Sequence, residues 1–411
     1  MKYIKSSLFN RAPKLLAATL KLATGKDIDA AIEHLSELKG VPQKIGQLLS
    51  MDVTQYIPEE FKNKLKPLQS ESKKFDHEIL LAAVKKSLSV DAFLQITHFE
   101  TSSIGAGSIG QVHWAMIDNR KVVFKIQYPD IEKTIHADIA LLGPLASIYE
   151  FIRPDSKDLS ILLKEAKKMI LGELDYVKEA NHLVFFKENL KHDDRFYVPE
   201  VLQAFSSEKI ICMEYVEGLP LAQFIKVTKD IETKNKIAKA LLELFIDEFF
   251  LMGKVQTDPN FGNYLIKDNL QIVLLDFGAV KDFNSDFRLD YFNLLDASYN
   301  GNKDKILLFG EKLGLVNRSD RLEAVNLFVS FMKDVLSYFH AEINPVDFKK
   351  EEITKKLLET GWKLWKEQRI SSPHSDLVFL HRKLGGLFSL LKEMEVEIDL
   401  SPFWEKIKKF N

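Results

Sequence analysis

The chain has 411 residues, of which 46% are hydrophobic and 28% charged, enough to bury one or more cores and too apolar for disorder over most of its length. Lys and Arg number 57 against 59 Asp and Glu, so no global basic field draws it to nucleic acid. A single cysteine, Cys212, excludes an intrachain disulfide and any zinc or iron–sulfur site built from cysteines.

Residues 2 to about 89 carry helical spacing, as in Ile28–Ile32–Leu35 and Ile45–Leu48–Leu49, with turn signals at Gly25–Lys26, Gly40–Pro42 and Pro58. The first 26 residues hold Lys2, Lys5, Arg11, Lys14, Lys21 and Lys26 and no acid. Such a start suits a helix with one solvated face, an anionic membrane surface or a targeting peptide. No secretory signal and no spanning helix are expected. The apolar stretch from Ile139 to Tyr149 is short and broken by Pro144. Cytoplasmic residence follows as an expectation, with any membrane contact peripheral.

Near Phe99 the pattern changes. Val112, Val122, Val123, Phe124 and Ile126 lie in short β-rich runs around Asp118-Asn119-Arg120, which predicts a hairpin. Helical spacing returns from Ile131 to about Asn189, broken at Arg153-Pro154-Asp155, and a strand pair is expected at Val198–Phe205 and Lys209–Tyr215. After a seam at Val216–Pro220 the chain reads as helical, except for strands at Asn263–Ile266 and Gln271–Leu275 around Lys267-Asp268-Asn269. The expected fold is α+β, with a helical extension over residues 1–98, a β-rich part with inserted helices over 99–216, and a helical part over 217–411.

Gly105-Ala106-Gly107-Ser108-Ile109-Gly110-Gln111 is a glycine-rich run of the kind whose backbone amides approach phosphates. A dinucleotide fold would place a helix next; here Val112-His113-Trp114-Ala115 reads as a strand, and strand–loop–strand is how kinase-type folds cover a nucleotide. Lys125 sits in the apolar strand Val122–Ile126, where an ammonium needs a partner and where such folds hold the α/β-phosphates. Asp258 and Asn263 have the Asp-x4-Asn spacing of a catalytic loop, and Asp276 opens Asp-Phe-Gly after an apolar strand. Phosphoryl transfer needs a carboxylate at the nucleophile, and an amide oxygen and a carboxylate on Mg²⁺. Singly, each motif also reads as an ordinary turn, edge strand or helix stop; their unbroken order along the chain points to a kinase-like site in a two-lobed, protein-kinase-like α+β fold, whose N-lobe is the β-rich part and whose C-lobe is the helical part.

With these residues in place, the chain resembles the UbiB-like atypical kinases, the aarF-domain or ADCK family, over about residues 40–283. Lys44-Ile45-Gly46-Gln47 looks like that family's K-x-G-Q signature. Ser108–His113 is similar to its nucleotide loop and Lys125–Pro129 to its lysine strand. Glu173-Leu174-Asp175-Tyr176 with Glu179-Ala180 is similar to its E-x-D helix, and Gln256-Thr257-Asp258-Pro259-Asn260 to the version found in the coenzyme Q branch. The resemblance implies ATP and Mg²⁺ as ligands. Lys125 would hold phosphates and pair with Glu179 or Glu173, and Gly105, Ala106, Gly107 and Ser108 would line the nucleotide. Met213, Glu214 and Val216 would form the adenine-contacting hinge. Asp258 would stand as catalytic base, Asn263 and Asp276 as metal ligands, and Lys44 with Gln47 would reach Glu173 or Asp175 from a lid. It further implies an ATPase or small-molecule or lipid kinase supporting ubiquinone biosynthesis, with a coenzyme Q precursor or lipid as partner. Gly105 and Gly107 depart from that branch, which usually carries an alanine-rich run here, and membrane-spanning tail helices of many bacterial members are not found. No Ala-Pro-Glu element follows Asp276 to seat protein substrates. Two alternatives stand beside this: a nucleotide-binding pseudokinase scaffold, and a phosphotransferase resembling the aminoglycoside and choline kinases. The C-terminal aromatics, Phe245, Phe249, Phe250, Phe328, Phe331, Phe339, Trp362, Trp365, Phe379 and Phe388, read first as helical core and second as a polyprenyl groove.

Overall fold

A computed structural model describes residues 75–107, 109–136, 171–258, 260–350 and 375–410. Lys44, Gln47, Ser108, Trp362 and Trp365 lie outside these residues. The chain divides into two compact units. The first takes the chain up to Lys187 with Pro199–Val216 and Phe277–Ala279; the second takes Glu188–Val198, Glu217–Asp276 and Val280 onward.

In the first unit, α1 (His77–Ser87) opens on Asp76, whose carboxylate accepts from the Glu78 N–H, and buries Leu80 and Val84 one turn apart. After α2 (Val90–Leu94) the chain builds an antiparallel sheet. Its strands are β1 (Ile96–Phe99), β2 (Gly105–Ala106), β3 (Gly110–Ile117), β4 (Arg120–Gln127) and, later in the chain, β6 (Ile210–Glu214). The order is β1-β3-β4-β6, with β2 also on β3. The β3–β4 hairpin is the one the sequence predicts. Ile117 pairs with Arg120, and the two residues between them, Asp118 and Asn119, have φ of 44° and 66°. Positive φ at both central residues is what a two-residue turn needs to match strand twist, and Asp and Asn tolerate it. Gln111, His113, Ala115 and Ile117 alternate inward on β3, as do Val122, Phe124 and Ile126 on β4. Lys125 is therefore on the opposite face from Phe124. Helix α3 (Tyr176–Leu190) opens on Asp175, whose carboxylate accepts from the Lys178 N–H.

The second strand pair departs from expectation. Val198–Phe205 is not a strand: Pro199 has no N–H to give a ladder, Val201 makes one bridge to Met213, and Gln203–Phe205 is a 3₁₀ turn. The strand lies just before it, β5 (Phe196–Tyr197), and belongs to the second unit, where it runs parallel to Ile272–Leu274.

That unit is mostly helical. Among the described residues its helices are α4 (Leu221–Val227), α5 (Ile231–Ile246), α6 (Ser285–Tyr299), α7 (Lys303–Lys312), α8 (Leu322–Ser337), α9 (Ser375–Met394) and α10 (Ser401–Lys408). Helix α5 packs on α9 and α10, and α6 on α7 and α8. Phe249 anchors the core, edge-on to Phe250, Phe283, Phe287 and Tyr291. The expected hairpin is present as β9 (Tyr264–Ile266) and β10 (Ile272–Leu274), in a sheet ordered β5-β10-β9-β7, with β7 at Leu219–Pro220. Two pairs were not expected: β8 (Lys254–Gln256) with β11 (Val280–Asp282), and β12 (Val346–Asp347) with β13 (Glu397–Ile398). Strands of two or three residues are too short for alternation to register in sequence. Among the described residues no helix is long and apolar enough to cross a membrane.

Candidate functional site

The candidate residues fall into two groups, one in each unit. In the first, the chain turns sharply between β2 and β3, with the Gly107 N–H donating to the Gly110 carbonyl at 2.8 Å. Gly105 and Ala106 pair with Val112 and Gln111, giving the strand–turn–strand order read from the sequence. Gly110 is sterically obligatory. A Cβ there would collide with the Ile126 carbonyl oxygen and stand 2.8 Å from the Tyr176 hydroxyl. Gly105 and Gly107 are different: a methyl group at either meets its nearest neighbour at 3.7 or 3.8 Å, ordinary contact.

Lys125 lies opposite Val112 on one side and Ile211 on the other. Its Nζ donates to Glu179 Oε1 at 2.5 Å and sits 5.3 Å from the Tyr176 ring centroid. The Glu179 side chain is 1% exposed and that of Lys125 18%. This resolves the open choice of partner: Glu179, one turn into α3, meets the ammonium, while Glu173 lies in the turn before the helix. The Gln127 side chain, two residues on from Lys125, donates to the Leu174 carbonyl at 2.7 Å, tying β4 to the turn between Glu173 and Asp175. Met213 is buried, and Glu214 and Val216 are half-buried at the end of β6. Cys212 beside them is fully buried. Burial pushes its thiol up to about 12, so it acts as a small core residue.

Sequence reasoning missed His182 on α3. Its Nδ1 lies 3.1 Å from the Phe277 carbonyl; a carbonyl only accepts, so Nδ1 carries the proton. Phe277, 1% exposed, also stacks on Phe186 at 4.4 Å. The middle residue of Asp-Phe-Gly is thus core to the first unit.

In the second unit, the chain from Asp258 folds back on itself. The Asn260 side-chain oxygen accepts from the Gly262 N–H at 2.9 Å and its carbonyl from the Asn263 N–H at 3.0 Å, closing a 3₁₀ turn over Phe261–Asn263. That turn returns Asn263 to Asp258: Asn263 Nδ2 donates to Asp258 Oδ2 at 3.1 Å. With the amide nitrogen so engaged, its oxygen is the atom left to accept or to ligate. Tyr264 pairs with Leu274 at the end of the β9–β10 ladder, and the Leu275 N–H donates to the Asn263 carbonyl at 3.0 Å. Asn263 and Asp276 therefore leave the same end of one hairpin. Gln256 Nε2 donates to the Asp276 carbonyl at 3.4 Å.

An amide oxygen and a carboxylate are hard donors, and two of them suit Mg²⁺, which keeps its remaining positions for phosphates and water. The set fits the cation the sequence implies. Two cations on α9 were also missed. Arg382 Nη2 lies 3.6 Å from Asp258 Oδ1, and Lys383 is buried next to it. Adjacent charges in the apolar stretch Leu377–Leu391 were the available signal.

Comparison with known proteins gives a consistent picture. A family model described as an ABC1 atypical kinase-like domain matches residues 67–309. The atypical kinase COQ8, mitochondrial, of Saccharomyces cerevisiae is 28% identical over 94% of this chain and 77% of its own. The probable serine/threonine-protein kinase abkA of Dictyostelium discoideum is 26% identical over 94% and 71%. AarF domain-containing protein kinase 1 of Gallus gallus is 29% identical over 69% and 56%. Among solved structures, Rv3197 of Mycobacterium tuberculosis, determined with erythromycin, superposes with a TM-score of 0.66 at 22% identity over 99% of this chain and 98% of that one. At that identity the likeness speaks to fold alone.

Proposed function

The chain belongs to the ABC1 atypical kinase-like family, the UbiB-like group that includes COQ8 and the AarF-domain kinases, and from that premise we propose that it is a Mg-ATP-dependent ATPase or small-molecule or lipid kinase. The observation that carries the reading is the 3.1 Å Asn263–Asp258 hydrogen bond at the hairpin end from which Asp276 also departs.

In this reading Lys125 binds the α/β-phosphates, and Glu179 holds its ammonium extended along the sheet face. The tight turn at Gly107–Gly110 offers backbone amides to the phosphates, and Met213, Glu214 and Val216 contact the base. Asn263 Oδ1 and the Asp276 carboxylate would hold Mg²⁺, which would neutralise charge on the transferring phosphoryl group. Asp258, oriented by the Asn263 amide and facing Arg382, accepts or directs the proton of the attacking hydroxyl or water. The acceptor class is a coenzyme Q precursor or lipid at an anionic membrane surface, and the role is support of ubiquinone biosynthesis. The likeness of Gln256–Asn260 to the coenzyme Q branch and the similarity to COQ8 support that assignment.

The test is Mg-ATP hydrolysis by wild type and Asp258→Asn, with and without anionic vesicles and a phenolic precursor mimic. Turnover that rises with vesicle or phenol and is lost in the variant, nucleotide binding being kept, is expected. Nucleotide binding without turnover under any condition would instead favour a scaffold.

A further inference from the structure

The buried charges beneath the Asp258–Asn263 loop have no part in the chemistry above. Glu248 is the second residue of the π-helical turn Asp247–Met252 that continues α5, and its side chain is 1% exposed. Lys383, in the middle of α9, is 3% exposed, and the two charged groups are 3.9 Å apart. That is longer than a hydrogen bond. The ammonium gives its hydrogens elsewhere: to Gln256 Oε1 at 3.1 Å and the Tyr264 hydroxyl at 3.2 Å. Glu248 Oε2, the carboxylate atom that faces the ammonium, makes no hydrogen bond among the described residues.

These contacts fall at the two ends of the loop. Gln256 is two residues before Asp258, and Tyr264 directly follows Asn263. The Gln256 side chain is fixed at both of its polar atoms: its Oε1 by Lys383 and its Nε2 on the Asp276 carbonyl. One buried ammonium thus spans the start and the end of the segment that carries Asp258 and Asn263, and acts through Gln256 on Asp276. Stability alone is a poor reason for such a pair, since replacing a buried ion pair by apolar groups is often neutral or stabilising. Directed hydrogen bonds from a buried ammonium do something apolar packing does not: they select one geometry.

We propose that Lys383, partnered by Glu248, is a positioning residue that clamps both ends of the Asp258–Asn263 loop and so sets the geometry with which Asn263 and Asp276 engage Mg²⁺. The clamp rests on the Mg-ATP reading, but it touches neither nucleotide nor metal. It is recognisable in the sequence only as a lysine in an apolar helix.

The experiment uses the full chain, Lys383→Met, and the double variant Lys383→Met/Glu248→Gln, in which no unpaired charge is left buried. Three quantities are read: thermal stability, ATP binding as a function of Mg²⁺ concentration, and kcat and KM for Mg-ATP hydrolysis. The double variant should keep its melting temperature and its metal-free nucleotide affinity. It should need about 10- to 100-fold more Mg²⁺ for half-maximal coupling, as losses of outer-shell partners typically do, with kcat falling and KM little changed. Wild-type Mg²⁺ dependence and kcat in the double variant would overturn the proposal and leave the pair a matter of stability. Wild type whose ATP binding ignores Mg²⁺ would instead overturn the Mg-ATP reading, and the clamp's role with it.

Discussion

Three glycines of one turn should respond to the same substitution in opposite ways. At Gly110 an added methyl is driven into the main chain of β4: the obstructing atom is the Ile126 carbonyl oxygen, with the Tyr176 hydroxyl 2.8 Å away on the other side. Neither moves cheaply. Ile126 is held in register by β3 and β6, and Tyr176 is fully buried. Overpacking costs about 1–3 kcal/mol, and the rigidity of this site puts Gly110→Ala near about 3 kcal/mol. For a unit of this size that lowers the melting temperature by about 6–12 °C. At Gly105 and Gly107 the nearest atoms are 3.7 and 3.8 Å from the new carbon, and neither residue has positive φ. Alanine there restricts the unfolded chain at no native cost, a gain of about 0.4–1 kcal/mol. Urea unfolding followed by the fluorescence of Trp114, on β3, compares all three. Gly110→Ala within about 1 kcal/mol of wild type, or Gly105→Ala losing as much as Gly110→Ala, would refute the reasoning.

Glu179→Gln removes the carboxylate that meets a largely buried Lys125. Breaking a buried pair costs about 3–5 kcal/mol, and the residual exposure of Lys125 places the loss at the low end; urea unfolding showing no loss would contradict the burial argument. Asp276→Asn should raise the Mg²⁺ needed for ATP binding, read by thermal shift, while leaving metal-free binding intact; an unchanged Mg²⁺ dependence removes Asp276 from the metal site. Burial pushes the Glu248 carboxyl up to about 7 from an ordinary value of 4.5. The folded state then binds the proton more tightly than the unfolded state, so this group's contribution to stability is full below about pH 4.5 and is lost as pH rises through about 7. Wild type should therefore lose stability between pH 5.5 and 8 relative to Glu248→Gln, and parallel pH profiles would sink that assignment. Cys212, with its thiol raised to about 12, should resist alkylation by iodoacetamide at pH 8 until the protein is unfolded in urea; labelling of the native protein at the rate of a free thiol would contradict it.

Much of the fold was legible because its signals are local. Asp118-Asn119 is a turn dipeptide whose own backbone preference closes the β3–β4 hairpin, and Lys267–Asn269 marks the β9–β10 turn in the same way. Lys125 could be singled out because an ammonium in an apolar strand demands a partner. The sequence points to Glu179 as that partner with Glu173 left open, and the start of α3 after Asp175 is what separates the two. Short strands such as β8 and β11 escaped because three residues show no period. Arg382, Lys383 and His182 escaped for another reason: their partners, Asp258, Gln256 and Phe277, lie about 95 to 127 residues away, and no spacing rule reaches that far.

The Asp-x4-Asn spacing is itself a structural quantity. Four intervening residues suffice because Asn260 closes a tight turn with both its side-chain oxygen and its carbonyl, and that turn brings Asn263 back to 3.1 Å from Asp258. The next residue, Tyr264, then has to begin β9 at once, since its pairing with Leu274 aligns Asn263 with Leu275 and so with Asp276. A residue more or fewer before Asn263 would break the turn that returns it to Asp258, and a one-residue slip of β9 on β10 would turn its alternate side chains to the other face and part Asn263 from Asp276. The motif spacing and the hairpin register are therefore one constraint. It explains why two short sequence signals separated by twelve residues, Asn263 and Asp276, are better evidence together than either is alone.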